Sequence, residues 1–198
     1  MDTKINKRKL QAEQTKLKLM EAVEHIIATE GFTELKVQKI QKISGIDKKL
    51  IYFHFGDLDG LIKEFLRSKD FWINDVAVNN EVTKDTAKAL LRDQFSKIFQ
   101  NDLLSQLIVW EISAKNESLL QIAEEREEIG NKIIQALNKT QKFKRDVSPV
   151  FALLVAGIYY LTIHAKVNGS TFCGLNINLA SDRKRLLDCV DEMVDALD

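Results

Sequence analysis

The feature that most constrains the fold is a glycine-bearing turn between two short apolar-patterned segments, the second of which runs into an aromatic cluster. It reads Val37-Gln38-Lys39-Ile40-Gln41-Lys42-Ile43-Ser44-Gly45-Ile46-Asp47-Lys48-Lys49-Leu50-Ile51-Tyr52-Phe53-His54-Phe55. Val37, Ile40 and Ser44 fall on one face of a first helix, and Gly45 is suited to the left-handed conformation that ends it without a Cβ clash. Ile46 then plugs the turn. Asp47 offers a side-chain oxygen to the open N–H groups of the next helix. In that helix Leu50, Ile51 and Phe55 are expected to face inward, and Lys48, Lys49 and Tyr52 outward. This pattern predicts a helix-turn-helix, and with it DNA binding rather than catalysis. Two lysines in the first turn of such a helix are placed to meet phosphates or guanine edges.

At these residues the chain resembles the TetR-type family of bacterial transcriptional regulators. The family pattern is a turn of the form Ala-Gly-Val-Ser, a short recognition helix, Tyr-x-x-Phe, a lysine-bearing linker and a leucine-rich fourth helix. Here those places hold Ser44-Gly45-Ile46-Asp47, then Tyr52-Phe53-His54-Phe55, then Gly56-Asp57-Leu58-Asp59-Gly60-Leu61-Ile62. Upstream, Ala28-Thr29-Glu30-Gly31-Phe32-Thr33 continues the match, which spans residues 12–66. Beyond it the likeness is one of length, helical pattern and a long apolar penultimate helix.

The resemblance implies an all-α chain of about nine helices. A three-helix head at residues 1–56 would read DNA, and a helical domain at 57–198 would bind an effector and dimerise. It implies a cytoplasmic bacterial repressor that binds a palindromic operator in double-stranded DNA as a homodimer. Lys36, Gln38, Lys48, Lys49, Leu50, Tyr52 and His54 are the expected DNA-contacting residues. In the family pattern the Tyr52 and His54 positions approach the DNA backbone; the alternative for His54 is an aromatic cluster with Phe53 and Phe55 that closes the head. Two positions depart from the pattern. Asp47 replaces the usual Ser or Thr, and Leu58 replaces a phosphate-touching lysine. Both changes remove attraction for DNA, which leaves Lys36, Lys39, Lys42 and the amino-terminal Lys4, Lys7, Arg8, Lys9, Lys16 and Lys18 to compensate. The alternative function is a helical ligand-binding or protein-interaction module that has lost sequence-specific DNA binding.

Size and composition fit this organisation. The 198 residues are enough for a small head and a larger domain, each with its own core. A formal net charge of +0 excludes a globally basic coat for nucleic acid, although the first twenty positions are basic. Cys173 and Cys189 are expected to be free thiols in a reducing cytoplasm. Pro149 is the only proline and glycine is sparse, which favours long helices. The uncharged run Val147 to Ala165 is long enough to span a membrane, but Ser148, Pro149, Gly157, Tyr159, Tyr160, Thr162 and His164 dilute it. No membrane partner is expected.

Periodicity predicts helices at about 7–28, 57–78, 83–99, 102–114, 118–138, 148–165 and 181–197, in addition to the pair in the head. Ser148 and Pro149 read as N-cap and first-turn residue of the apolar helix, and Ser181 or Asp182 as the start of the last. A dimer is predicted from these two helices. The apolar one has no polar side to give to water, and the last carries a stripe. The expected interface is Phe151, Leu154, Gly157, Ile158, Leu186, Val190, Met193, Val194 and Leu197. The resemblance places a small-molecule pocket in the same domain, with Trp72, Phe99, Trp110, Tyr159, Tyr160 and His164 as candidate contacts for an apolar or aromatic effector. No catalytic residue, cofactor or metal is expected. There is no phosphate loop, nucleophile elbow or Cys-x-x-Cys pair, and the Glu124–Glu128 run reads as a solvated helix face.

Overall fold

A computed structural model describes residues 2–68, 82–141, 143–144 and 146–197. Among them the chain forms nine α-helices and no strand, with an isolated β-bridge between Phe172 and Leu175. It divides into two compact units, Met1–Asp70 with Trp110–Leu120, and Phe71–Val109 with Gln121–Asp198. The first unit therefore takes in the fourth helix, beyond the boundary expected at residue 56.

The first unit is built on α1 (Asp2–Glu30), which runs through the predicted first helix and past both its ends. Leu19, Ala22, Val23, Ile26 and Ile27 recur at helical spacing and are all buried. A 3-10 turn at Phe32–Glu34 leads into α2 (Val37–Ser44), α3 (Lys49–Phe55) and α4 (Leu58–Arg67). α1 packs against α2 and α4, and α3 against α4. Ile40, Ile51, Leu61, Ile62, Phe65 and Leu66 close the core from the other side. Burying each of these large side chains is worth about 1.5–3 kcal/mol. The packing of α4 under α3 depends on Gly60, because a Cβ there would lie 2.0 Å from the Phe55 carbonyl oxygen. The helix predicted over 57–78 is described to Arg67, so Phe71, Trp72 and Val76 lie outside the described residues.

In the second unit α5 (Lys84–Gln100) is capped by Thr83, whose hydroxyl accepts from the Thr86 N–H at 3.2 Å. It packs on α8 (Val147–Val167) and α9 (Ala180–Asp195). The helices α6 (Asp102–Ser113) and α7 (Glu117–Thr140) lie between α5 and α8 in sequence, and each supplies residues to both units. Leu91, Phe95 and Ile98 of α5, Leu137 of α7, Phe151, Leu154 and Ile158 of α8 and Val190, Val194 and Leu197 share one core. The seam between α5 and α9 is also pinned by charge. The Arg92 guanidinium donates to both carboxylate oxygens of Asp191, with Nη2–Oδ2 at 2.8 Å, and Lys88 pairs with Asp195. A two-pronged pair of this kind fixes geometry as well as charge.

Two predicted helix starts are corrected. Asp146, not Ser148, caps α8, accepting from the Ser148 N–H at 3.0 Å, so the helix begins at Val147. Pro149 still sits in the first turn, where its missing N–H costs no helical bond. The last helix opens at Ala180 after Leu179 with no side-chain cap, and the Asp182 carboxylate instead holds the Asn176 N–H at 2.9 Å. The α8 segment, long and apolar enough to cross a membrane by composition, buries Phe151, Leu154, Ile158, Thr162 and Ala165 within the chain. Cys173 and Cys189 are unbonded to each other and exposed.

Candidate nucleic-acid interface and effector cavity

The turn between α2 and α3 has the expected chemistry. Gly45 takes φ 67°, ψ 11°, and its N–H donates to the Gln41 carbonyl at 3.0 Å, which closes α2. The Ser44 hydroxyl bridges the corner, donating to the Ile40 carbonyl and accepting from the Ile46 N–H at 3.1 Å. Asp47 accepts from the Lys49 N–H at 2.9 Å through Oδ1, so its carboxylate is turned onto the first turn of α3.

The seven residues of α3 have one buried and one open side. Ile51 is fully buried, with Leu50, His54 and Phe55 half-buried around it. Lys48, Lys49, Tyr52 and Phe53 face outward, Tyr52 at 52% and Phe53 at 78% exposure. The His54 ring lies edge-on between those of Phe53 (4.9 Å) and Phe55 (6.2 Å). This is the grouping that the aromatic-cluster alternative for His54 expects, with Phe53 on its open side. The signal for its placement is the spacing of Lys49, Tyr52, Phe53 and Gly56, which puts all four on one helix side.

The charges around this surface are not equally available. Lys39, one of the lysines expected to compensate for Asp47 and Leu58, is mostly covered and donates to Glu30 and to Glu34, the latter at 3.2 Å. Glu34 also meets Lys36 at 3.6 Å. Hydrogen bonding from Lys39, then the charges of Lys36 and Lys39, hold the Glu34 carboxyl below its usual range; the hydrogen bond to Glu30 chiefly raises Lys39. Gln38, Lys42, Lys48, Lys49 and, on α1, Lys7, Arg8, Lys9 and Lys18 are exposed. Leu58 is the half-buried first residue of α4, behind Asp57, whose carboxylate accepts from the Gly60 N–H at 2.7 Å.

A cavity of about 500 Å³ opens in the second unit between α5, α7 and α8, with Leu104 of α6 on its wall. Its interior is apolar, formed by Leu91, Ile98, Ile133, Phe151 and Val155 among others. Across it the Gln94 amide donates to the Tyr159 hydroxyl at 2.7 Å, and the Arg126 guanidinium lies 5.8 Å from the Tyr159 ring centre. The exposed Asp93 and Glu127 and the half-buried Lys97 bring charge to the lining, Asp93 and Lys97 paired at 2.7 Å. Volume and lining match those of small-molecule sites.

Of the six aromatic and histidine residues expected at a pocket, Tyr159 lines this cavity. Phe99 stacks on Phe95 and lies under the Arg183 guanidinium. Trp110 belongs to the head unit, buried in a face-to-face stack on Phe32 with 5.2 Å between ring centres. Tyr160 and His164 form a surface group with Phe172, in which Asn168 and Ser170 meet the two His164 ring nitrogens. Trp72 lies outside the described residues. Gln94, which sequence reasoning missed, is a polar position on α5 with no local motif to mark it.

The expected interface residues separate in the same way. Phe151, Leu154, Ile158, Val190, Val194 and Leu197 are buried within the chain's own core, so they have no face left to offer. Gly157 and Leu186 are half-buried and Met193 is exposed. The open side of α8 is a neighbouring stripe, Leu153, Gly157, Tyr160, His164 and Val167, alternating four and three residues apart. On α9 the corresponding positions are Leu186, Cys189 and Met193.

No family model matches the sequence, and neither does any curated protein. Solved structures do match. NalD, described as the secondary repressor of the MexAB-OprM multidrug efflux pump in Pseudomonas aeruginosa, is 14% identical with a TM-score of 0.54, covering 92% of this chain and 96% of its own. A mutant of HlyIIR carrying a GSSGSSG linker in place of an internal segment is 16% identical with a TM-score of 0.59, covering 91% of this chain and 97% of its own. The chain thus has the all-helical fold of these two proteins.

Proposed function

We propose that the chain is a TetR-type transcriptional regulator, a cytoplasmic homodimeric repressor that binds a palindromic operator and releases it when a small molecule fills the cavity. The observation that carries this reading is the outward side of α3, where Lys48, Lys49, Tyr52 and Phe53 stand clear of a helix held by the Gly45 turn. Such a surface suits a major groove, with the lysines on phosphate or guanine and Tyr52 within reach of the backbone. The fold shared with NalD, itself described as a repressor, supports it. The chain has no catalytic role in this reading.

Pairing follows from the stripes left open on α8 and α9. Leu153, Tyr160 and Val167 are exposed, and Gly157 between them permits close approach. A two-fold partner presenting the same stripe would cover them, with four helices packed at the seam. Two recognition helices must then lie about one helical turn apart, ~34 Å. An apolar ligand hydrogen-bonded to Gln94 and Tyr159 acts by favouring a state in which that spacing is wrong. A coupling of ~1–3 kcal/mol changes operator occupancy by roughly five- to 150-fold. Leu104 on the cavity wall and Trp110 in the head belong to the one helix α6, which is the route we assign to this coupling.

Titrating the full chain onto the DNA upstream of its own gene tests the reading. Affinity should fall steeply with salt, and Lys48→Ala and Lys49→Ala should each weaken it and flatten that dependence. A second reading, a ligand-binding or protein-interaction module without operator recognition, is favoured by the Lys39 ion pairs and by Leu58 in place of a lysine. Binding gained by Leu58→Lys or Asp47→Ser, with none in the parent chain, supports that alternative.

A further inference from the structure

Phe53 stands out on α3 because it is left outside the core. The core side of this helix is taken by Ile51, two positions away and fully buried, while Phe53 is 78% exposed. Its ring meets that of His54 at a steep angle, with 4.9 Å between ring centres. Exposing a phenyl ring costs free energy that burial would recover, at roughly 25 cal/mol per Å² of apolar area. A surface that carries one beside two lysines and a tyrosine is matched to a partner that is anionic and has an apolar point within it. Duplex DNA read from the major groove has one such point, the C5 methyl of thymine. The other base-edge features there are hydrogen-bond donors and acceptors, to which a phenyl ring is indifferent.

Two neighbours sharpen the placement. Tyr52 carries a hydroxyl and so has a polar target available at the backbone, whereas Phe53 has none. Gly56, on the same side one turn later, has φ 85° and open space where a side chain would be, so nothing at that position competes with a base edge at Phe53. Insertion of the ring between base pairs is a device of proteins that approach from the minor groove, and a helix seated in the major groove presents its rings to base edges instead.

We propose that Phe53 is a specificity-determining residue that packs on a thymine methyl, so that each half-site carries a required thymine opposite the carboxy-terminal half of α3. The inference rests on the DNA-binding reading given above and adds to it the chemical group that is recognised.

The test uses the full chain and a duplex enriched from a random-sequence pool by that chain. Each thymine of the enriched site is replaced in turn by uracil, which keeps every hydrogen-bonding group and removes the methyl alone, and the dissociation constant is measured at one fixed salt concentration. Burial of one methyl group predicts about fourfold weaker binding at one thymine of each half-site, and about fifteenfold when both half-sites are changed. Phe53→Ala should bind the thymine and uracil duplexes equally, and Phe53→Leu should keep part of the discrimination. Equal binding of every uracil duplex by the parent chain overturns the assignment while leaving DNA binding intact, as does discrimination that survives in Phe53→Ala. A pool in which no sequence is enriched overturns it together with the reading beneath it.

Discussion

The head and the larger unit bury similar side chains, yet they differ in how far away the decision about each residue is made. In the head, Gly45 stops α2 through the carbonyl of Gln41, Asp47 starts α3 through the N–H of Lys49, and Ile51 and Phe53 take opposite sides within one turn. In the larger unit the partners are remote. Gln94 meets Tyr159, Arg92 meets Asp191, and Lys166 meets Asp102 at 2.8 Å. A surface set by neighbours in sequence has its purpose written locally. A surface set by helices from elsewhere in the chain is known only after packing has used up one side of each.

The largest effect should come from the buried side of α3. Ile51→Ala is expected to cost about 2–5 kcal/mol by chemical denaturation, against less than ~0.5 kcal/mol for Phe53→Ala on the same helix. Equal costs for the two would erase the division of α3 into a buried and an open side. The same contrast can be drawn on α8, between Leu154 in the core and Leu153 outside it. Leu154→Ala should lower stability by about 2–5 kcal/mol and leave the sedimenting species a dimer, whereas Leu153→Glu should yield monomers with little change in helicity. Dimers that survive Leu153→Glu and Tyr160→Glu together would place the interface elsewhere.

Smaller effects refine the comparison. Gly60→Ala forces a Cβ against the Phe55 carbonyl and should destabilise the head by about 1–3 kcal/mol, while Gly157→Ala, with open space at its Cβ, should not affect protomer stability comparably. Acid should weaken both units through exposed ion pairs. The carboxyl of Glu34 is held low chiefly by the hydrogen bond from Lys39, and that of Asp188 chiefly by the one from Lys184, then by Arg92. With folded values below the unfolded ones, their contributions are complete above the ordinary carboxylate range and fade as pH falls through the lowered values. Stability measured against pH should lose the first part of this acid limb in Lys39→Ala and the second in Lys184→Ala.

The pattern of what was legible follows the same divide. The helix pair, the role of Gly45, the capping oxygen of Asp47 and the burial of Ile40 and Ile51 are all visible in the order of residues, because each depends on positions within one helical turn. The apolar helix α8 was visible as a helix but not as a surface. With nothing polar to mark an outer side, Leu154 and Leu153 look alike in sequence, and only packing against α5 separates them. Trp110 and Tyr159 were equivalent for the same reason, one stacked on Phe32 and the other on the cavity wall. The outward place of Phe53 is local in the same sense, since its spacing from Lys49 and Tyr52 puts it on their side of α3.

The central claim is that the open side of α3 grips DNA. Its most direct test is the slope of log affinity against log salt for the full chain on the DNA upstream of its own gene. A steep negative slope is expected, reduced by about one in each of Lys48→Ala and Lys49→Ala, with the loss of affinity similar across DNA sequences if those lysines meet phosphate. Binding that ignores salt, or that is unchanged when both lysines are removed, would contradict the account.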